Sequence, residues 1–229
     1  TNDVDLIVPE VNQPEFKRGI IANPNCSTIQ SVVPLKILQD AYGLKRVAYT
    51  TYQAVSGSGV KGKRDLAEGA NGKEPEAYPY PIYNNVLPHI DVFLENGYTK
   101  EEQKMIDETK KILNDQDLKV TATCVRVPVQ DSHSIEIDVT LNQDTTVKEI
   151  QELFAHDQRV VLVDNPSKNE YPLAIHSTGK DEVFVGRIRR DDSLENTFHV
   201  WCTSDNLLKG AALNAVQVLE QILTLKGAR

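Results

Sequence analysis

Residues 119–141 read KVTATCVRVPVQDSHSIEIDVTL, and their alternation decides the fold class. From 134 to 141, Ile135, Ile137, Val139 and Leu141 alternate with Ser134, Glu136, Asp138 and Thr140, the period of a strand with one buried face. Residues 119–128 have the same character, and the short link between the two runs predicts an antiparallel hairpin. Working outward, further strands are expected at 46–53, 159–163, 182–189 and 197–203. Helical spacing recurs from Ile29 to the stop signal Gly43 with Pro34 inside it, then at 99–113, 146–156 and 207–225. Thr99 and Glu102 have capping-box spacing. Residues 4–8 and 19–22 read as short buried strands, Ser56 to Gly59 as a flexible turn, and 69–88, with six Gly and Pro residues, as an irregular loop. Hairpins mixed with amphipathic helices imply an α+β fold, a mixed and largely antiparallel sheet with helices packed on one face.

Composition narrows the functions. The 229 residues carry 25 Lys and Arg against 33 Asp and Glu, a net charge of −8, so nonspecific binding to nucleic acid is not expected. Cys26, Cys124 and Cys202 are 98 and 78 residues apart, which suits neither a disulfide framework nor a zinc site and fits a reducing cytoplasm. No apolar run is long enough to cross a membrane, and no metal site is expected, since His89, His156, His176 and His199 lack ligand spacing. The chain starts at Thr1 and enters an apolar run at once, which suggests a start within a longer protein. Arg187, Arg189 and Arg190, followed by Asp191 and Asp192, read as a structural ion-pair cluster.

Cys26 follows the turn Asn23-Pro24-Asn25 where a helix begins. The positive end of a helix favours thiolate, so Cys26 is a candidate nucleophile; the alternative is a small cysteine filling space. His133 lies at the mouth of the expected hairpin, where an imidazole with a reference pKa of about 6.5 can take and return a proton, or else be an ordinary loop histidine. Arg126 shares a strand face with Cys124, and its planar guanidinium suits a carboxylate; the hairpin would bring it across to His133. Glu101 and Lys104, three apart on one helix face, form either a solvated pair or separate ligand contacts. Gln53 ends a strand, and Asn25 is either a turn residue or a donor beside the nucleophile.

Five segments in order favour the functional readings. ANPNCSTIQ at 22–30, TYQAVSGSG at 51–59, EEQK at 101–104, CVRVPVQDSHS at 124–134 and SDNLLKGAALNAVQ at 204–217 resemble the active-site segments of aspartate-β-semialdehyde dehydrogenases. The resemblance implies the C-terminal domain fold of the glyceraldehyde-phosphate dehydrogenase type, with residues 1–229 forming its catalytic and dimerisation domain. It implies Cys26 as the thioester nucleophile and His133 as the acid-base group. Gln53, Arg126 and Glu101 would bind substrate, Asn25 and Lys104 phosphate, and Ser56, Gly57 and Asn206 the nicotinamide end of NADP. The reaction implied interconverts aspartate semialdehyde and β-aspartyl phosphate in lysine, threonine and methionine biosynthesis, in a cytoplasmic homodimer.

No glycine-rich dinucleotide turn is present, so the resemblance also implies a Rossmann domain upstream, with 1–22 and 204–229 facing it. Leu208, Ala212, Ala215, Leu219 and Ile222 of the last helix would then be only partly covered. Other readings remain: an N-acetylglutamyl-phosphate or glyceraldehyde-phosphate dehydrogenase, a silent dimerisation module, or a cysteine hydrolase.

Overall fold

A computed structural model describes residues 3–16 and 18–227, so Thr1 lies outside the described part. In chain order the elements are β1 (Asp5–Leu6), β2 (Ile21–Ala22), α1 (Cys26–Tyr42), β3 (Leu44–Gln53), α2 (Gly59–Gly69), α3 (Lys100–Ile112), β4 (Lys119–Arg126), β5 (His133–Leu141), α4 (Val147–His156), β6 (Val161–Leu162), α5 (Ala174–Ser177), β7 (Phe184–Arg190), β8 (Thr197–Ser204) and α6 (Leu213–Leu225). A single 3-10 turn over Val55–Ser58 precedes α2, and a wide π turn over Leu208–Ala212 leads into α6. Helix ends follow local chemistry. Asn25 caps α1, reciprocal capping boxes open α3 at Thr99 and Glu102 and α4 at Thr146 and Glu149, and Gly43, at φ 69°, closes α1 by donating to Gln39 O.

Six strands form one sheet in the order β4-β3-β5-β8-β7-β6, and β1 pairs with β2 in a separate parallel ribbon. The pairs β3–β5, β5–β8 and β7–β8 are antiparallel, while β3–β4 and β6–β7 are parallel, so the sheet is mixed and largely antiparallel. Val47 and Tyr49 of β3, Ile135, Ile137 and Val139 of β5, and Phe198, Val200 and Cys202 of β8 bury one face against Ile29, Val33 and Ile37 of α1, Met105 and Ile106 of α3, and Ile150 and Phe154 of α4. Each such side chain contributes about 1.5–3 kcal/mol on burial. The other face carries Arg46, Tyr52, Glu136, Asp138, His199 and Trp201, with the Tyr52 and Trp201 rings 5.4 Å apart.

Three expectations are corrected. Residues 119–128 and 134–141 are strands, but not a hairpin: β3 lies between them, parallel to β4 and antiparallel to β5. Alternation assigns faces, not partners. The 127–130 link runs around the end of β3 instead, with Val127 N donating to Gln53 O, and Val55 N and Ser56 N to Val129 O and Gln130 O. The stretch after Ser56 is no flexible turn, because the 3-10 turn passes into α2, whose Leu66 packs with Val55 and Ile82. Gly62 is required there, since a Cβ would lie 2.5 Å from Val55 O. Finally, the arginine cluster forms no ion pair with Asp191 or Asp192 among the described residues. Arg190 lies over the Phe198 ring at 5.5 Å, and Asp191 accepts from Ser193 N and Oγ. The outer side of the π turn and α6 is only partly covered, as expected: Ala212 and Ala215 are exposed, Leu219 is 55% exposed, and Leu208 and Ile222 are half-buried.

Candidate active site

The start of α1 meets the sheet where β3 and β4 end and β5 begins. Gln53 pairs in register with Arg126, and Tyr52 with Ser134, so Gln53, Arg126 and His133 come together on the helix side of three strands. Arg126 and His133 are therefore neighbours across β3 rather than across a hairpin. What links them is the buried Ala54 peptide just beyond β3: its N–H donates to His133 Nδ1 at 3.0 Å, and its carbonyl accepts from Arg126 Nη1 at 2.7 Å.

Cys26, the first residue of α1, is half-buried, with Sγ 3.2 Å from His133 Nε2. Asn25 builds the turn that presents it. Its Oδ1 accepts from Ser27 N and Thr28 N, its Nδ2 donates to Glu101 Oε1 at 2.7 Å, and its backbone N donates to Glu108 Oε2 at 2.8 Å. Gly210 packs against Cys26 from the π turn, where a Cβ would fall 3.0 Å from Cys26 Cβ.

The protonation state departs from the expectation of a stabilised thiolate. Burial, reinforced by the Glu101 carboxylate, pushes the Cys26 thiol up to about 12 against the opposing pull of Arg126 and Ser27. Burial, with Arg126 nearby, brings His133 down to about 3. Desolvation thus opposes, at both groups, the charged forms that the helix N-terminus would favour at sulfur.

Glu101 is buried and accepts from Gln53 Nε2 at 3.3 Å as well as from Asn25. Lys104 sits 3.9 Å from Glu101 and 3.1 Å from Asp91. Burial acts to lower the Lys104 ammonium, but Asp91 and Glu101 outweigh it and hold it above the usual lysine range. Arg126 is 95% buried, having 5% of its surface exposed, and no carboxylate of the described residues is ion-paired with it. Its Nε has no hydrogen-bond partner, and the Tyr78 ring lies 6.0 Å from its guanidinium carbon.

The structure brings Cys26, His133, Gln53, Arg126, Glu101 and Asn25 into one site, with Lys104 at its edge. Ser56 and Asn206 are buried and bonded to each other, and Asn206 Oδ1 also accepts from Ser132 N. Gly57 is exposed, its position lying 3.0 Å from Arg126 Nη1 and 3.5 Å from His133 by the reach of a Cβ. Sequence reasoning missed Glu108, Ala54 and Tyr78. Glu108, seven residues after Glu101, shares its helix face, which was a usable signal; Ala54 acts through its peptide, and Tyr78 sits in an irregular loop, so neither had one. Cys124 and Cys202 are buried core residues, as expected. Asp138, Asp191 and His199 gather on the open face within 4.8 Å, although Asp138 pairs with Arg46 and His199 with Glu136.

A thiol touching an imidazole, beside a buried cation and a buried carboxylate, is an arrangement suited to acyl transfer through sulfur on an amino-acid-like molecule. The family model described as semialdehyde dehydrogenase, dimerisation domain, matches residues 35–209. Aspartate-semialdehyde dehydrogenase of Aquifex aeolicus is 49% identical over 96% of this chain and 68% of its own length. That of Bacillus subtilis is 47% identical over 96% and 68%. Among solved structures, aspartate semialdehyde dehydrogenase II of Vibrio cholerae, complexed with ASA, superposes with a TM-score of 0.91 at 41% identity, covering 97% of this chain and 68% of that one. The Candida albicans enzyme, solved with NADP, gives 0.74 at 27% identity over 99% and 68%. The chain belongs to the aspartate-semialdehyde dehydrogenase family.

Proposed function

We propose that the chain is the catalytic and dimerisation portion of an NADP-dependent phosphorylating dehydrogenase interconverting aspartate semialdehyde and β-aspartyl phosphate, on the route to lysine, threonine and methionine. The observation that carries this reading is Arg126. A buried guanidinium without an ion pair is costly unless a ligand brings the counter-charge. An α-carboxylate supplies it, and Glu101, also buried, suits the α-ammonium of the same molecule. Gln53 then lies between them, able to orient a carbonyl without adding charge.

Cys26 acts as both nucleophile and leaving group. With an acyl phosphate, the Sγ–C bond forms, the C–O bond to phosphate breaks, and the departing phosphate carries off the thiol proton. His133, with Nε2 3.2 Å from the sulfur, is placed to take a proton in one half-reaction and return it in the other. Lys104 offers charge to phosphate at the rim. Asn25 can reach phosphate only by releasing Glu101, since its amide is committed to the helix cap and to that carboxylate.

The bare backbone at Gly57, open above Arg126 and His133, fits the flat end of a nicotinamide. Ser56 would hold that end directly and Asn206 would brace Ser56 from behind. NADP, when bound, supplies the hydride acceptor. The remainder of the cofactor is assigned to a Rossmann domain outside this chain, facing 1–22 and 204–229. A homodimer is proposed on the description of the matched family model, and a cytoplasmic location on three unpaired cysteines; no described helix is long and apolar enough to cross a membrane.

The acylation half-reaction needs no cofactor and tests the reading on this chain. Incubation with β-aspartyl phosphate should release phosphate and leave an aspartyl adduct on Cys26, seen by intact mass and missing in Cys26→Ser. A folded chain that never acquires the adduct would favour a silent dimerisation module, for which a neutral thiol is no handicap.

A further inference from the structure

We propose that Asp91 is the exchange partner of Lys104: a carboxylate that holds the ammonium until a phosphate takes its place, and takes it back as phosphate departs. This rests on Lys104 meeting phosphate, and it adds the residue that sets how tightly. Lys104 Nζ lies 3.1 Å from Asp91 Oδ2 and 3.9 Å from Glu101 Oε2, so Asp91 is its hydrogen-bonded partner and Glu101 a more distant one. Glu101 is engaged by Asn25 Nδ2 and Gln53 Nε2, and Glu108 of the same helix by Asn25 N.

The contact is built into the chain. Just before α3 the backbone turns back on itself: Phe93 bridges to Thr99, Leu94 N donates to Tyr98 O, and Lys100 N donates to Val92 O, the last two at 2.8 Å. His89 stacks on Phe93 with ring centroids 4.3 Å apart. Asp91 therefore stands at a fixed place beside the start of α3. Its backbone has φ 68°, a left-handed conformation that Asp and Asn adopt more readily than other residues with a side chain. Its Oδ1 accepts from Val92 N at 2.9 Å, which leaves Oδ2 for Lys104. The Val92 N–H, helped by Lys104, holds the Asp91 carboxyl below the usual aspartate range.

An anion arriving at Lys104 meets one ammonium with three carboxylates around it, Asp91, Glu101 and Glu108. Of these, Asp91 is the one bonded to the ammonium, so it competes with the anion directly. Both side chains are partly exposed, and an ion pair in contact with water opens at little cost. Exchange swaps a carboxylate contact of Lys104 for a phosphate contact and changes no covalent bond. Phosphate is thereby held less tightly than at a lysine without a carboxylate partner, which suits a group that must leave in one direction of the reaction and enter in the other. Asp91 touches no reacting atom; it is a positioning residue acting through Lys104.

The test is a phosphorus NMR titration of inorganic phosphate against the 229-residue chain at low ionic strength, where screening is weakest, on the parent, Lys104→Met and Asp91→Asn. Asparagine keeps the left-handed backbone and the bond from Val92 N while removing the charge, so an aspartate with a merely structural role predicts no change. Lys104→Met should weaken phosphate by at least about tenfold, and Asp91→Asn should tighten it by about threefold to fivefold. In acylation of Cys26 by β-aspartyl phosphate the same gain should fall on the half-saturating concentration and not on the maximal rate; the binding arm reads the exchange whether or not Cys26 is acylated. Equal or weaker phosphate binding in Asp91→Asn would overturn the exchange and leave the Lys104 assignment standing. Phosphate binding unaffected by Lys104→Met would remove that assignment and this proposal together.

Discussion

Arg126→Met separates function from stability at this site. Arg126 has 5% of its surface exposed, makes one hydrogen bond through Nη1 to Ala54 O, and has an Nε with no partner. Substitution strands the Ala54 carbonyl, costing about 1–3 kcal/mol. It also removes the desolvation penalty of a buried ion without a counter-charge, which is worth several kcal/mol in the opposite direction. The two roughly cancel, and at about 2–4 °C per kcal/mol for a chain of this size the melting temperature should move by no more than about 5 °C. Ligand recognition has no such offset. Losing one side of a buried charge-assisted pair costs about 2–5 kcal/mol, so acylation of Cys26 by β-aspartyl phosphate should slow by at least about thirtyfold. Acetyl phosphate, which has no amino-acid end, should react at nearly the same rate with both proteins. The assay is phosphate release and adduct formation for the two acyl phosphates, beside thermal unfolding. Equal loss on both acyl phosphates, or a melting drop beyond about 10 °C, would show that Arg126 is structural and remove the carboxylate clamp.

Stability should fall in acid because His133, brought down to about 3 in the fold, regains its ordinary value of about 6.5 on unfolding. The unfolded chain binds the extra proton between those values, so the His133 contribution declines as pH falls below about 6.5, by about 1.4 kcal/mol per pH unit. Denaturant titrations at several pH values should show this slope in the parent and a shallower one in His133→Gln; identical slopes would contradict the buried neutral ring. Gly210→Ala would place a Cβ 3.0 Å from Cys26 Cβ and should cut Cys26 acylation about tenfold or more while melting within a few degrees of the parent. An unchanged rate would mean that the nucleophile's position does not depend on the π turn. Lys209, fully buried, donates to both oxygens of Glu10 at 2.8 and 2.7 Å and to Gln217 at 2.8 Å, tying Glu10 to the base of α6. Lys209→Met alone should destabilise by about 3–5 kcal/mol, and adding Glu10→Gln should recover most of it. Failure of the double variant to recover would show that Lys209 matters for packing rather than charge balance.

Much of the site was legible through the resemblance of five short segments, since residue chemistry alone left Cys26, His133, Gln53, Glu101 and Lys104 open to ordinary structural readings. Asn25-Cys26, Gln53, Glu101 with Lys104, and Arg126 with His133 each sit within a few residues of a strand or helix end, where backbone direction makes a side chain available to the same space. Helix α3 was legible to its cap because the Thr99–Glu102 box is a local device. Helix α2 was not, since Ser56 to Gly59 suggest a turn, and the need for Gly62 arises from Val55, Ser58 and Tyr78 packed against it. Glu108 was legible in spacing alone, but its purpose lies in a hydrogen bond to Asn25, 83 residues away.

The sequence by itself determined the class of fold and the buried face of the 134–141 strand, because side-chain period is a local property, and it pointed to candidate reacting groups through the resemblance its five segments carry. Only the tertiary structure decided that β3 separates β4 from β5, since alternation specifies a face and long-range pairing chooses the neighbour. It also decided the electrostatic balance: the start of a helix argues for a thiolate, whereas burial and the Glu101 carboxylate push the Cys26 thiol up, and the Ala54 peptide N–H meets Nδ1 of His133. Desolvation and hydrogen-bond partners depend on residues distant in the chain, and they exist only once the chain has folded.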